Sequence, residues 1–243
     1  MNRGSGSSIG AALASVLLAF GLAGTGAHAA TSLVTSPSGI AADGQLNWGD
    51  KGTDGTTVMN PFEIAVTGVS GLKVTVSQSN GPFQRRDQSS PGSWPGNFAP
   101  GDKLLSTKAE VNATGPVSLV FNSPVQGVGT QIQAFSTGAF TASIEAFNSS
   151  NASLGSFTLA GDSNAKADNS AIFIGILSNA LDISKVVFGV PTANAFPQDF
   201  LINGPRIQVP AVPEPETYAM LMAGLGLLGF IARRRRKSLN AAA

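Results

Sequence analysis

The sequence contains no cysteine, and its one histidine is His28. This histidine lies in an N-terminal segment that we expect to be removed, so the mature chain would lack both residue types. Catalysis by Ser–His–Asp or Cys–His groups within this chain is therefore excluded, as are zinc, copper and iron sites built on those ligands. The sequence also has no Walker motif, and no G-x-G-x-x-G motif follows a strand pattern.

Charged residues are also scarce, at 12% of the chain. Residues 30–212 contain nine basic and twelve acidic residues, which gives this part a net charge of −3. A nucleic-acid-binding surface needs clustered lysine and arginine, so no nucleic acid is predicted as a partner. Low charge together with 29 glycines and 14 prolines is typical of an all-β domain. Without cysteine no disulfide stabilises the fold, but a domain of about 180 residues has a core large enough to be stable without one.

The N-terminus has the three parts of a secretory signal peptide. Arg3 supplies the positive charge, residues 9–23 are apolar or small, and Ala27-His28-Ala29 has the small-x-small pattern of a signal peptidase site. The alternative, a buried N-terminal helix, would need a polar face that this segment lacks. We therefore expect signal peptidase to remove residues 1–29 and the rest of the chain to be exported.

The C-terminus contains a proline-bounded acidic motif, an uncharged stretch and a basic cluster, in that order. Pro213 and Pro215 flank Glu214, and each proline fixes its own φ and lacks a backbone N–H group, so this segment is expected to be extended. The following residues, about 217–232, carry no charge and predict a short transmembrane helix. The basic run 233–237 would stay in the cytoplasm by the positive-inside rule, which places the preceding domain outside.

These three parts together resemble the PEP-CTERM sorting signal, over about residues 209–238. The resemblance implies processing by an exosortase, a membrane-embedded transpeptidase, in a Gram-negative bacterium that produces exopolysaccharide. It also implies a transient inner-membrane anchor, followed by transfer to the cell surface or the extracellular matrix. A plain tail anchor with an accidental Pro-Glu-Pro sequence is the alternative. The resemblance assigns sorting recognition to Pro213, Glu214 and Pro215, and membrane retention to Arg233, Arg234, Arg235 and Arg236.

Between residues 30 and 208, apolar and polar residues alternate with a period of two, which predicts half-buried β-strands. Segments with this pattern include 72–77, 117–121, 128–134, 140–146 and 186–190. A continuous apolar run at 171–177 is typical of a central strand covered on both faces. Turn-forming residues such as Asn203-Gly204-Pro205 separate the segments. The pattern predicts an all-β ectodomain, an antiparallel two-sheet β-sandwich or jelly-roll-like fold.

The longest segment without this alternation is 78–101, which we expect to be a loop. It contains Trp94, and an indole exposed in a loop can stack on a sugar ring. In that interpretation Arg85 and Arg86, from the same segment, are further ligand contacts. The alternative, which we favour, is that Trp94 folds back as a plug over the end of the sandwich and anchors its own loop.

A metal site that needs neither histidine nor cysteine remains open. Asp43, Asp50 and Asp54 lie in a glycine-rich segment, and Ca²⁺ prefers oxygen ligands, so these three are calcium candidates. Their spacing does not match an EF-hand loop. Aspartate beside glycine also forms ordinary turns, which is the favoured interpretation. No other cofactor is predicted.

The leading hypothesis for function is an exported, non-catalytic protein of the cell surface or exopolysaccharide matrix whose ectodomain binds glycan. One alternative is a secreted polysaccharide hydrolase that uses two carboxylates. Glu63, Glu110 and Glu145 are the only glutamates between residues 30 and 208, and aspartates could partner them. The other alternative is a purely structural matrix protein.

Overall fold

A computed structural model describes residues 30–89, 94–209 and 221–228. The predicted signal peptide, residues 1–29, lies outside the described residues. So do the Pro213-Glu214-Pro215 motif and the arginines 233–236. The structure therefore bears mainly on the predicted ectodomain.

The described residues form fifteen β-strands and two short 3-10 turns, Pro37–Gly39 and Trp48–Lys51. In chain order the strands are β1 (Thr31–Val34), β2 (Gly44–Gln45), β3 (Thr57–Val58), β4 (Phe62–Ala65), β5 (Lys73–Asn80), β6 (Phe83–Asp87), β7 (Lys103–Ser106), β8 (Thr114–Val125), β9 (Gly127–Ala134), β10 (Gly138–Phe147), β11 (Ser153–Ser163), β12 (Ile172–Ser178), β13 (Ile183–Ala193), β14 (Phe200–Ile202) and β15 (Arg206–Gln208).

The strands are arranged in two antiparallel sheets. The nine-stranded sheet has the order β1–β12–β9–β14–β7–β6–β3, and β15 joins it by pairing with both β9 and β2. The six-stranded sheet has the order β11–β10–β13–β8–β5–β4. The prediction of a mostly antiparallel two-sheet fold is therefore confirmed.

The main core lies between the two sheets, and the predicted alternation produces it. In β5, Val74 and Val76 are fully buried, whereas Lys73 and Thr75 are exposed. The same inward set recurs in β8, β10 and β13 and includes Leu119, Ile144 and Phe188. Each such buried side chain contributes about 1.5–3 kcal/mol relative to an exposed one, so the alternation stabilises the sandwich.

Strand β9 differs from its prediction as a half-buried strand, because it is buried on both faces. Ile132 points into the main core, and the neighbouring Gln133 is also buried. The Gln133 side chain accepts a hydrogen bond from the backbone N–H of Asn97 and donates one to the carbonyl of Asn164. Two loops thus cover the outer face of β9. Their backbone groups form hydrogen bonds with Gln133, which the alternating pattern predicted to face solvent.

The prediction of a loop over 78–101 is wrong at its N-terminal end. Strand β5 continues to Asn80, and β6 follows after a two-residue turn. Strand β6 has the sequence FQRRD, in which Phe83 and Arg85 are buried. The alternation was hidden because one of the two inward positions carries a charged residue, which Asp87 neutralises.

Residues 221–228 form a helix whose described side chains are all exposed. This helix, α1, lies within the predicted transmembrane segment 217–232. Among the residues that the structure describes, no helix is long and apolar enough to cross a membrane.

Candidate functional site

Trp94 is buried in this structure, with 6% of its surface exposed. The indole packs with Phe98, Leu104 and Leu201 in a second apolar cluster, and its ring centroid lies 6.3 Å from that of Phe135. The residues next to Leu201 belong to the main core, so this second cluster covers the outer face of the nine-stranded sheet. Trp94 therefore packs over a sheet face, and not over the end of the sandwich where the plug interpretation placed it.

Arg85 and Arg86 are engaged by acidic side chains. The guanidinium of Arg85 is buried and hydrogen-bonds Asp87, which also accepts a bond of 2.8 Å from Nζ of Lys103. Arg86 lies 3.9 Å from a carboxylate oxygen of Asp54. These positions give the predicted ligand role of Trp94, Arg85 and Arg86 no geometric support, and that role stays a prediction.

The calcium candidates have separate structural tasks. Asp43 and Asp54 accept hydrogen bonds from backbone N–H groups at 2.8 and 2.7 Å, and Asp50 accepts one from the side chain of Asn47 at 2.8 Å. Within the described ranges, no group of three or more His, Cys, Asp or Glu side chains is placed to hold a metal ion. Asp50 stabilises a local turn, as the favoured interpretation proposed, whereas Asp43 and Asp54 bond to the distant backbone groups of Val209 and Asp87.

Two adjoining recesses form a polar cleft at the nine-stranded sheet, beside the turn between β14 and β15. The larger recess has a volume of about 360 Å³ and the smaller one about 150 Å³. Gln45, Asn203 and Gly204 line both recesses, so the two adjoin each other. The larger recess also contains Asn47, Thr67, Asp102 and Lys103, and the smaller one Thr130, Gln131, Asn169, Phe173 and Arg206.

A chain of side-chain hydrogen bonds connects the two recesses. Nε2 of Gln131 donates to Oδ1 of Asn169 at 2.9 Å, and Oε1 of Gln131 accepts from Nδ2 of Asn203 at 3.3 Å. Nδ2 of Asn203 also donates to Oδ2 of Asp102 at 2.9 Å. These bonds fix the orientation of both amides, because each oxygen faces a donor and each nitrogen faces an acceptor.

The turn between β14 and β15 brings Asn203 to this position. The backbone N–H of Asn203 bonds to the carbonyl of Gln131, and its own carbonyl accepts a bond of 2.7 Å from Oγ1 of Thr130. At Gly204, a Cβ atom would lie 2.0 Å from the carbonyl oxygen of Leu46. Only glycine fits there, and this close approach holds the turn against the segment after β2.

Asp102 is a partly buried carboxylate that lines the larger recess. Burial raises the pKa of this carboxyl above its ordinary value of 3.8, and hydrogen bonds from the backbone of Ala99 and the side chain of Asn203 offset part of that rise. At Asp87, burial acts in the same direction, but hydrogen bonds and positive charge from Lys103 and Arg85 outweigh it and lower the pKa. The Lys103 charge at the cleft is therefore shared with Asp87.

The cleft offers oriented hydrogen-bond donors and acceptors with little net charge. Amide side chains supply both functions, which suits a ligand rich in hydroxyl groups, since a hydroxyl also donates and accepts. Of the described residues that line the cleft, Asp102 is the one carboxylate. Glu63, Glu110 and Glu145 do not line it, and Glu63 instead forms an exposed ion pair with Lys73 at 2.9 Å.

Sequence reasoning did not identify these cleft residues. Gln131 appeared only as the outward position of an alternating strand, and Asn203 only as part of a turn. The amides come from separate parts of the chain, and Asn203 lies 72 residues from Gln131 and 101 from Asp102. The one local signal was the concentration of asparagine and glutamine at outward positions and turns.

Comparison with known proteins gives weak similarities for the β-rich region. A DUF4465 family protein from Bacteroides caccae is 11% identical, with 71% of this chain and 99% of that chain covered and a TM-score of 0.27. The CBM22-1 xylan-binding domain of Paenibacillus barcinonensis Xyn10C is 12% identical, with 66% of this chain and 99% of that domain covered and a TM-score of 0.13. Similarity at this level supports no conclusion about a ligand. No curated protein matches the chain significantly.

The tail gives a specific result. A family model for the PEP-CTERM protein-sorting motif matches residues 211–237. The match covers the proline-bounded motif, the uncharged stretch and the basic cluster, which are the three parts that the sequence pattern identified. The C-terminal tail of this chain is therefore a PEP-CTERM protein-sorting motif, the signature of an exported protein that is processed by an exosortase.

Proposed function

We propose that this protein is a non-catalytic component of the cell surface or exopolysaccharide matrix of a Gram-negative bacterium, and that its β-rich ectodomain binds glycan in the polar cleft. Signal peptidase would remove residues 1–29. Residues 217–232 would then hold the chain in the inner membrane, with Arg233–Arg236 in the cytoplasm, until an exosortase acts at Pro213-Glu214-Pro215. The sorting motif supports this route, because motifs of this class direct export and processing.

The hydrogen-bond chain from Asn169 to Asp102 is the observation that carries the glycan proposal. A ligand that meets side chains already held in one orientation loses less of its binding energy to ordering them. In the polar cleft, the bonds among Gln131, Asn203 and Asp102 provide this order before a ligand arrives. Glycan hydroxyls are chemically matched to such groups, because a hydroxyl both donates and accepts hydrogen bonds.

The alternative of a polysaccharide hydrolase has one supporting observation. A carboxyl with a raised pKa inside a cleft is suited to act as a general acid, and Asp102 fits that description. Glycoside hydrolysis uses a second carboxylate about 5–9.5 Å away, and the described lining residues supply none. This composition supports binding over catalysis.

Binding and turnover should be measured together. The mature chain, residues 30–243, would be kept in a detergent without a sugar headgroup and tested on an array of bacterial exopolysaccharides and their oligosaccharides. We expect binding that is lost in Asn203→Ala and no release of reducing ends over a day. If the native chain binds none of these glycans, the glycan proposal is refuted. Release of reducing ends that stops in Asp102→Asn would favour the hydrolase.

A further inference from the structure

We infer that the glycan carries carboxylate groups, and that Arg206 binds a uronic acid residue in the smaller recess of the polar cleft. This inference rests on the proposed glycan-binding function and specifies the class of glycan. It follows from the charge of the smaller recess, from the two donors that line it, and from the different charge balance of the larger recess.

Arg206 is held at the smaller recess by strands on both sides. In β15 it is in register with Gln45 of β2 and with Gly129 of β9, and the next residue, Ile207, is fully buried in the main core. Its backbone position is therefore fixed by the sheet. The side chain itself is exposed at the rim.

The charge of Arg206 is not compensated by any carboxylate of the described residues. The other two arginines of the β-rich region, Arg85 and Arg86, pair with Asp87 and Asp54. The residues described around the smaller recess include five uncharged polar side chains and one cation, but no aspartate or glutamate. A planar guanidinium without a partner is suited to bind a carboxylate through two parallel hydrogen bonds.

Asn169 supplies a second donor in the same recess. Its Oδ1 atom already accepts from Nε2 of Gln131, so its Nδ2 group is the part left to donate to a ligand. Asn169 adopts a left-handed backbone conformation with φ of 61°, which asparagine tolerates better than most residues. The recess thus combines a cation with a neutral donor, which is the composition of an anion site.

The larger recess has a different balance. Asp102 and Lys103 both line it, so it contains one carboxylate and one cation, and Lys103 also bonds to Asp87. A neutral sugar would meet amides and both signs of charge in this recess. The two adjoining recesses therefore fit a chain in which a uronic acid in the smaller recess is followed by a sugar without net charge in the larger one.

The test uses matched probes that differ only in charge. Oligosaccharides of polygalacturonate, alginate, hyaluronan and xanthan would each be compared with the carboxyl-reduced form, in which the same sugars and linkages carry hydroxymethyl groups. Titration calorimetry would use the mature chain in a detergent without a sugar headgroup. Arg206→Gln removes the charge, Arg206→Lys keeps the charge without the planar fork, and Lys73→Gln removes an exposed cation outside the cleft as the control.

We expect at least one uronate probe to bind about tenfold more tightly than its reduced form, as a charge-assisted hydrogen bond would give. Arg206→Gln should reduce that preference to about twofold or less and leave binding of the reduced form unchanged. Arg206→Lys should retain part of the preference, and Lys73→Gln should retain all of it. Circular dichroism would show that each variant folds.

Two results would overturn the inference and would separate it from the broader proposal. Equal binding of charged and reduced probes, or a uronate preference that survives in Arg206→Gln, would reject the uronate site while glycan binding stands. Failure of every probe and of every neutral glycan to bind would reject both.

Discussion

Nδ2 of Asn203 donates a hydrogen bond of 2.9 Å to Oδ2 of Asp102, although the two residues are 101 positions apart in the chain. The bond joins the turn between β14 and β15 to the turn that precedes β7. Strands β14 and β7 pair with each other, so the sheet brings the two turns to the same edge of the cleft. Asn203 thus connects a charged group in the larger recess to the amides of the smaller one.

Replacing Asn203 with alanine should weaken glycan binding about tenfold or more. The variant removes the donor to Asp102 and the partner of Gln131, so both groups lose their fixed orientation. A loss of about 1–3 kcal/mol in the free energy of unfolding is expected as well, because partly buried partners are left unsatisfied. Calorimetry with the best-binding glycan and urea denaturation would measure the two effects separately.

Asn194→Ala is the matched control for that variant. Asn194 makes one side-chain hydrogen bond, to the backbone carbonyl of Thr137 at 3.3 Å, and it does not line the cleft. It should leave glycan affinity unchanged. Equal losses of affinity in the two variants would contradict a specific role for Asn203.

The free energy of unfolding should contain a component from Asp102 that decreases as pH rises. The pKa of this carboxyl is higher in the folded protein than its ordinary value of 3.8, so the folded state holds the proton more tightly. The component is fully present below pH 3.8 and is lost as pH rises through the higher folded pKa. Urea denaturation from pH 3.5 to 7 should show that the stability of the native chain relative to Asp102→Asn falls across this window.

Asp168 provides a control of opposite sign. The hydrogen bond from the Ser170 side chain is the main cause that lowers the pKa of this exposed carboxyl below its ordinary value. Its contribution to stability should therefore be present above pH 3.8 and be lost as pH falls, and Asp168→Asn should show the reverse trend to Asp102→Asn. If both variants showed the same trend with pH, the opposite directions of the Asp102 and Asp168 pKa shifts would be contradicted.

Gly96→Ala should destabilise the protein by about 1–3 kcal/mol, in the range of an overpacked core. A Cβ atom at this position would lie 1.9 Å from Cζ3 of Trp94, inside the van der Waals contact distance. The carbonyl of Gly96 also accepts bonds from the side chain of Gln88 and the backbone of Ala167, so the loop cannot move aside freely. Urea denaturation followed by tryptophan fluorescence would measure the loss.

A double-mutant cycle separates that clash from a general effect on the loop. Trp94→Ala alone should cost about 3–5 kcal/mol, because a buried aromatic group is removed. In that background Gly96→Ala should cost less than in the native chain, since the clashing ring is gone and the remaining short contact is with Oε1 of Gln133 at 2.8 Å. The packing role of Trp94 would be contradicted if the losses in the free energy of unfolding simply add in the double mutant. It would also be contradicted if Trp94→Ala alone caused no loss of stability.

Replacing both Glu214 and Pro215 with alanine should leave the tail attached to the exported protein. The two residues belong to the motif that the PEP-CTERM family model matches, and processing depends on its recognition. Mass spectrometry of the extracellular form would detect Arg233–Lys237 at its C-terminus in the variant and not in the native chain. Glu216→Ala, next to the motif, is the control, and normal processing of the double variant would contradict the assigned recognition role.

Several elements could be predicted from the sequence because local chemistry determines them. The alternation in β5, β8, β10 and β13 fixes which side chains face the core, since successive residues of a strand point to opposite faces. The apolar run 171–177 likewise predicted β12, which pairs with β1 on one side and β9 on the other. Strand β6 was missed because its buried arginine is satisfied only by a partner within the folded sheet.

The sequence alone determined the sorting motif and the strand faces, because both depend on the order of neighbouring residues. Only the tertiary structure decided where Trp94 packs and which residues form the polar cleft. Trp94 is buried by residues from β7 and β14, and the cleft amides come from β9, the segment after β11 and the turn after β14. Contacts between residues so far apart depend on strand order and register, which the residues within any one segment do not specify.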